Sequence, residues 1–303
     1  MKHVAFLFAL LFPVLFWAET ISYTYDDAGR VVRVSYASTG KSIFYRYDKA
    51  GKLLLRLVTA PQPGPAPSIT AAGVTNAASF IGGPVAPGEI VTLFGAGIGP
   101  AALTGLNLST SGFVDSFAGD TLVLFDGAPA PLIYASAGQT SVIVPYSVAG
   151  KATTQLQVQF QGRISAALPI PVTAAAPALF SFNGSGKGGG AILNQDSKVN
   201  TPSNPADKGT VVVLFGTGEG QTIPGGIDGK LAAGVYPKPV LPVSATIDGR
   251  AAEVLYYGAA PGLVAGVLQV NVKVPADAAS GDVPVVVKVG SASSQPGLTV
   301  ALR

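Results

Sequence analysis

The sequence predicts an all-β protein: two tandem β-sandwich modules preceded by a small β-hairpin segment. Three observations predict it. Charged residues make up only 12% of 303 positions, while Gly (38) and Pro (24) are abundant, so turns must be frequent and long helices scarce. Runs of Val, Leu, Ile and aromatics recur at short intervals, which disordered sequences of equally low charge lack. A block of about 110 residues also occurs twice with its features in the same order, the signature of duplication.

The chain opens with Met1-Lys2-His3, a short basic start, followed by an almost purely apolar run from Val4 to Trp17 and then Ala18-Glu19. That is the size of a signal peptide and short for a membrane span. Residues 1–18 are therefore expected to direct export, with cleavage after Ala18, although Phe16 stands where a small residue is preferred. The protein is expected to be secreted or held at the cell surface, with no membrane span beyond this segment. The absence of Cys removes any disulfide framework or thiol chemistry, and large bacterial surface domains commonly fold without disulfides.

Residues 19–60 carry seven Lys/Arg against four Asp/Glu, whereas residues 61–303 carry eleven against twelve. The main body thus has no basic stripe of the size a nucleic-acid footprint needs. Within the basic segment, Tyr25-Asp26-x-x-Gly29-Arg30 recurs as Tyr47-Asp48-x-x-Gly51-Lys52. Val31–Tyr36 and Ile43–Tyr47 read as strands joined by a turn at Ser38-Thr39-Gly40. An Asp followed three residues later by Gly suits a tight turn, because Asp accepts backbone N–H bonds and Gly accepts positive φ. The segment resembles the YD repeat of the RHS family, whose many copies wind into a β-shell. Two copies over about 35 residues build no shell, so these hairpins must dock on a neighbour or a partner, or stay partly disordered. Pro61-Gln62-Pro63-Gly64-Pro65-Ala66-Pro67 follows, a stiff, extended spacer expected to separate the hairpins from the main body.

The two modules are placed at 68–175 and 176–303. Val91-x-Leu93-Phe94-Gly95-x-Gly97-x-Gly99 returns as Val212-x-Leu214-Phe215-Gly216-x-Gly218-x-Gly220. Ala66-Pro67-x-Ile69 matches Ala176-Pro177-x-Leu179, and Val74-x-Asn76 matches Ile192-x-Asn194. Asp126-Gly127 matches Asp248-Gly249, and Ile133-Tyr134 matches Leu255-Tyr256. Strands are expected near 90–95, 121–125, 131–135, 140–144, 155–160 and 166–172, and again near 210–215, 243–247, 252–257, 267–274, 283–289 and 298–302. Short alternating strands at this spacing point to immunoglobulin-like sandwiches. The runs Val74 to Phe80 and Val85 to Val91, with Phe94-Gly95 and Asn200 to Ala206, resemble the uncharacterised C-terminal domain of secreted acidobacterial proteins over residues 67–303. Each half is also similar to the IPT/TIG fold. These resemblances imply fold and compartment and carry no activity.

Chemistry is sparse. The only His is His3, so the body can hold no Ser-His-Asp or Cys-His site and lacks the ligands zinc and copper favour. No catalytic, cofactor-binding or metal-ligating residue is assigned, and no cofactor is expected. The Gly-x-Gly-x-Gly runs lack the Lys-Ser/Thr of a phosphate loop and read as strand-end bends. The run Gly184 to Gly190 reads as a flexible loop between the modules. Asp126 and Asp248 read as turn residues. Glu89, Asp115, Asp120, Glu219 and Glu253 remain open as members of a glycosidase pair, since such pairs show no fixed spacing. Calcium around Asp115 and Asp120 has no Asp-x-Asp-x-Asp loop behind it. Tyr23, Tyr25, Tyr36, Tyr45 and Tyr47 suit stacking on sugars or peptides, but cover for the apolar face of the hairpins is the favoured reading. The expected function is an exported structural or recognition protein, not an enzyme, with a cell-surface glycan or protein as partner and no nucleic acid. Alternatives are a carboxylate-dependent polysaccharide hydrolase and a fragment of a toxin-delivery shell. The long loops 100–119 and 221–242 are the first place to look for recognition.

Overall fold

The computed structural model describes residues 19–303 except Asp27, Asp48 and Lys49. The leader-like segment 1–18 and the second Tyr-Asp pair's Asp48 lie outside the described residues. The chain is all-β, with two tandem immunoglobulin-like sandwiches preceded by a small antiparallel sheet.

That first sheet has four strands in sequence order: β1 (Ile21–Tyr25), β2 (Val31–Tyr36), β3 (Ser42–Tyr47) and β4 (Leu53–Thr59). The Tyr-Asp repeat shapes its turns. The Asp26 carboxylate accepts the Ala28 and Arg30 N–H groups, and Gly29 takes φ +73°, the turn geometry the spacing demanded.

In the first sandwich, one sheet contains β5 (Ser68–Asn76), β6 (Ile90–Ala96), β7 (Thr104–Gly105), β10 (Leu132–Ala135) and β11 (Gln139–Ile143), ordered β5-β6-β11-β10-β7. The other contains β8 (Thr121–Phe125), β9 (Ala128–Pro129), β12 (Thr153–Phe160), β13 (Arg163–Ile164) and β14 (Leu168–Pro171). Alternate residues from both sheets fill the space between them, among them Val91, Leu93, Val123, Phe125, Val142, Leu156 and Val158.

The second sandwich repeats this plan with β15 (Ala178–Leu179), β16 (Gly188–Gly189), β17 (Ile192–Leu193), β18 (Val211–Thr217), β19 (Thr222–Ile223), β20 (Lys238–Pro239), β21 (Val243–Ile247), β22 (Arg250–Ala259), β23 (Leu268–Lys273), β24 (Gly281–Val289), β25 (Ala292–Ser293) and β26 (Leu298–Leu302). The register is repeated too. Ile69 faces Gly95 as Leu179 faces Gly216, Val74 faces Leu93 as Ile192 faces Leu214, and Phe94 faces Gln139 as Phe215 faces Gln269. Ile133 and Leu255 each fall at a register shift in their ladders. One shared hydrogen-bond pair had no sequence signal. The Ser165 hydroxyl accepts the Val158 N–H and the Ser294 hydroxyl accepts the Val287 N–H, at 3.0 and 3.1 Å.

The copies differ where local chemistry differs. Pro129 and Pro131 split β9 from β10, because proline offers no ladder N–H. The second copy has no proline there, and β22 runs unbroken from β21 to β23. The glycine-rich run 184–190 is not a loop between the modules. It is an insertion between β15 and β17, the two halves of a first strand, and its β16 pairs in parallel with β26.

The glycine triplets are bends, as their recurrence suggests. A Cβ on Gly95 would overlap the Ser68 carbonyl, one on Gly216 would overlap the Ala178 carbonyl, and Gly97 and Gly218 adopt φ +63° and +82°. Asp126-Gly127 and Asp248-Gly249 are hairpin turns with positive φ at both residues. Each Asp also ties its turn to a neighbouring segment: Asp126 accepts the Gln155 N–H and Asp248 the Ala279 N–H.

The sandwiches meet along a tight seam. Thr217 accepts the Ile90 N–H, and Ile90, Val114, Ile143 and Val264 form one buried cluster with Ile133, Leu231 and Val267 around it. The long loops 100–119 and 221–242 are joined to each other here. The Val114 N–H donates to Gly229 at 2.7 Å, and the Leu231 N–H donates to Gly112 at 2.9 Å.

A candidate recognition cleft under the N-terminal sheet

The proline spacer does not hold the hairpins away from the body. Phe44 of β3 is fully buried against Leu122 and Leu124 of β8, with Leu57, Phe117 and Ile164 around it. Arg46 adds polar anchors, donating to the Val114 carbonyl at 3.0 Å and pairing with Asp115 at 3.1 Å. Gln159 donates to Thr59 at 2.7 Å. The spacer itself lies along the first sandwich, its Gln62 N–H donating to the Gln161 carbonyl. The reason is architectural: a lone four-stranded sheet has nothing of its own to cover its apolar face, and it must share a core with its neighbour.

The tyrosines are not the docking residues. Tyr23 and Tyr25 are 53% and 57% exposed, while Tyr36, Tyr45 and Tyr47 are half-buried. With Phe44 making the apolar contact, aromatic surface stays open to solvent. Beside it lies a cleft of about 360 Å³ whose lining includes Tyr25, Tyr45 and Tyr47 from the sheet, Phe125, Asp126 and Lys151 from the first sandwich, and Gly226 to Asp228 from the second. Three separated stretches of chain therefore build one surface.

Its charges are paired and fixed. Asp26 accepts the Arg30 guanidinium at 2.7 Å, and that guanidinium lies 5.0 Å from the centre of the Tyr47 ring. Burial opposes the charge on Asp26, but the Arg30 N–H and guanidinium outweigh it and hold the carboxyl below its ordinary value. Asp126 behaves alike: burial raises it, while the Gln155 N–H, Lys151 and Thr154 together lower it. Asp228 accepts the Tyr146 N–H at 2.9 Å across the seam. The cleft thus presents aromatic faces beside fixed donors and acceptors.

The other carboxylates singled out by sequence scatter. Asp115 is held by Arg46, while Asp120 and Glu253 are exposed. Glu89 is buried, accepting from Asn76 at 2.8 Å and from the Ala86 N–H at 2.7 Å, and burial pushes it up to about 8. Glu219 is also buried and pushed up to about 7, with the Tyr146 hydroxyl at 3.3 Å pulling the other way. Among the described residues no three His, Cys, Asp or Glu gather as a metal site, and no helix is long and apolar enough to cross a membrane. Sequence reasoning missed Lys151 and Asp228, and met Arg30 only as the closing residue of the Tyr-Asp repeat.

No protein-family model matches the chain, and no curated protein matches it. Among solved structures it is similar to SGBP-B from a complex xyloglucan utilization locus in Bacteroides uniformis, at 17% identity over 77% of this chain and 49% of that one, with a TM-score of 0.23. It is also similar to surface layer protein SbsC, domains 4–9, at 12% identity over 93% of this chain and 45% of that one, TM-score 0.26. Tandem Ig repeats of Dlar match at 11% identity over 78% of this chain and 98% of that one, TM-score 0.21. The chain spans about half the length of the first of these. TM-scores this low assign no function, and the sandwich fold rests on the chain's own strand pairing.

Proposed function

We propose that the chain is an exported structural and recognition protein without catalytic activity, and that it binds glycan in the cleft beneath its N-terminal sheet. The observation carrying this is the cleft's chemistry: exposed Tyr25 and half-buried Tyr45 and Tyr47 beside the Asp26–Arg30 pair and the Asp126–Lys151 pair. Tyrosine faces stack on sugar rings, and fixed carboxylates and guanidinium groups supply the acceptors and donors that hydroxyls need. Export is supported by the sequence of residues 1–18. The acidobacterial-domain resemblance of residues 67–303 fits the same compartment, and the YD-like segment supplies the tyrosines.

Hydrolysis by carboxylates needs one carboxyl kept protonated near neutral pH. Within the cleft, Asp26 and Asp126 are held ionised instead, which favours binding over turnover.

The test is a glycan and protein array probed with residues 19–303, alongside Tyr25→Ala and Arg30→Ala variants. Binding to a glycan class that both variants weaken at least about tenfold is expected, the loss of one stacking or charge-assisted contact. Binding confined to proteins, or glycan binding untouched by either variant, overturns the assignment. Reducing-sugar release from the bound glycan overturns the non-catalytic reading.

A further inference from the structure

The duplication supplies a control for every position. Glu219 stands between the second and third glycines of its triplet, where the first module places Ile98. Ile98 is fully buried in the core of the first sandwich. The fold therefore accepts an apolar residue at this position, yet the second module buries a carboxylate there at 1% exposure. A buried carboxylate destabilises the fold unless its oxygens are well partnered. Glu219 is not well partnered. Its Oε1 receives the Tyr146 hydroxyl at a long 3.3 Å, and its Oε2 is buried without a hydrogen-bond partner.

A pocket of about 210 Å³ adjoins it, and Glu219 is the most deeply buried of its lining residues. The walls are largely apolar, including Ile227, Leu231, Ala233, Val235 and Ala265. No second carboxylate occurs among the described lining residues. This volume is below the usual range for a drug-sized ligand, roughly 300 Å³ upward, so the occupant is a compact group. Ala233 and Val235 are exposed, which places an apolar entrance at the surface. Lys230 also contributes to the lining but is itself exposed and solvated.

We infer that this pocket binds a primary alkylammonium group, its short carbon stem against the alanine and aliphatic walls and its N–H donors on the free oxygen of Glu219. An ammonium is favoured over a hydroxyl because a charge-assisted bond offsets a buried carboxylate more fully than a neutral one. The stem is that of a small free amine or of a lysine side chain on a partner. This site backs onto the glycan cleft, with Gly226 and Ile227 in the lining of both, but the inference does not rest on glycan binding.

Its pH dependence has a definite sign. Burial raises Glu219 to about 7, and the ammonium binds the ionised form. Affinity therefore rises with pH up to about 7 and then levels, while the amine itself stays protonated. The other titratable and charged groups around Glu219 are Tyr146, Tyr256, Asp228 and Lys230. Burial raises both tyrosines above their ordinary value, so neither ionises across that interval.

The experiment is an NMR shift titration of the full chain with n-butylammonium, 1-butanol and Nα-acetyl-lysine methylamide at about pH 5.5, 6.5 and 8. A five-heavy-atom amine should bind with Kd of roughly 1–10 mM. Its affinity should rise about eightfold from the first pH to the second and about fourfold more to the third, as single-site linkage to a group at about 7 requires. Butanol should bind at least about tenfold more weakly. Glu219→Gln should remove both the affinity and its pH dependence, and Ala233→Phe, placed at the exposed entrance, should block entry while leaving the spectrum folded. Binding of the lysine derivative at least as tight as that of butylamine identifies a protein side chain as the source, and its exclusion identifies a free amine. No saturable amine binding, equal binding of butanol, retained affinity in Glu219→Gln, or affinity that falls as pH rises each overturns the inference.

Discussion

Replacing Phe44 by Ala should detach the N-terminal sheet while leaving both sandwiches folded. Among the side chains of residues 19–60 whose burial is described, Val32, Val34, Ile43 and Phe44 are the buried apolar ones, so the sheet has little core of its own. Phe44 is 0% exposed and forms the centre of the cluster with Leu122 and Leu124. Truncating a buried Phe to Ala costs about 3–5 kcal/mol through lost transfer energy and the cavity left behind. The Arg33 guanidinium, 5.3 Å from the Phe44 ring centre, loses its aromatic partner as well. What remains is partly buried Leu57 at the edge of the cluster, the Arg46 anchor to Asp115 and Val114 and the Gln159–Thr59 hydrogen bond, the polar contacts being worth about 1–3 kcal/mol each in partly buried settings. A sheet of this kind opens by itself, as a local unit of low stability. Native-state hydrogen exchange by mass spectrometry reads this directly. Amide protection in β2 and β3 should fall by roughly 100- to 1,000-fold or more, the equivalent of the lost docking energy. Protection in β8 and β23 should stay within about threefold of wild type, a change of under 1 kcal/mol. An equal fall across all four strands would show that the sheet is part of one cooperative unit, and unchanged protection in β2 and β3 would show that Phe44 does not hold it.

Two further outcomes concern stability. Glu89 and Glu219 titrate at about 8 and about 7 in the folded chain against an ordinary 4.5, so the unfolded chain loses these protons first. Urea stability should therefore decline as pH rises from about 5 to about 8, by up to about 3–5 kcal/mol for either group if fully expressed. Glu89→Gln should remove the Glu89 share of that decline while lowering stability at about pH 5, because Asn76 and the Ala86 N–H donate to different carboxylate oxygens and the Gln amide nitrogen would face one of these donors. Stability that rises over the same interval would contradict the burial of these carboxyls. The glycine triplets give a matched pair. Gly218→Ala should cost more than about 3 kcal/mol, since its Cβ would overlap the Ala176 carbonyl in a left-handed backbone, whereas Gly97→Ala meets open space and should cost about 1 kcal/mol from its φ alone. Equal urea midpoints for the two variants would remove the steric explanation.

The sandwiches were legible because duplication and strand alternation act locally. Val91, Leu93, Val212 and Leu214 mark inward positions by period alone, and Asp-Gly turns fix where hairpins reverse. The expected strand 252–257 nevertheless lengthened to β22, Arg250–Ala259, because no proline interrupts it. The glycine run 184–190 was misplaced for a related reason. It splits a strand whose two halves, β15 and β17, are each two residues long, and so short a run carries no periodicity to read.

The cleft was not legible, because no single stretch contains it. Tyr25 and Arg30, Asp126 and Lys151, and Asp228 come from three separated stretches of chain, and the docking of Phe44 and the zipped loops at Val114–Gly229 bring them together. Loops 100–119 and 221–242 were the expected recognition ends, yet they recognise each other. That exchange has a consequence for where ligands meet the molecule. Pairing the loops turns segment 221–242 into a shared wall, with Asp228 lining the tyrosine cleft and Leu231 lining the Glu219 pocket. Tyr146 spans the two, its N–H on Asp228 and its hydroxyl on Glu219. Binding surfaces in this chain are thus built at junctions between modules, where side chains are positioned by two cores at once, and the departure of Glu219 from its counterpart Ile98 was the one sign of this that the repeat alone displayed.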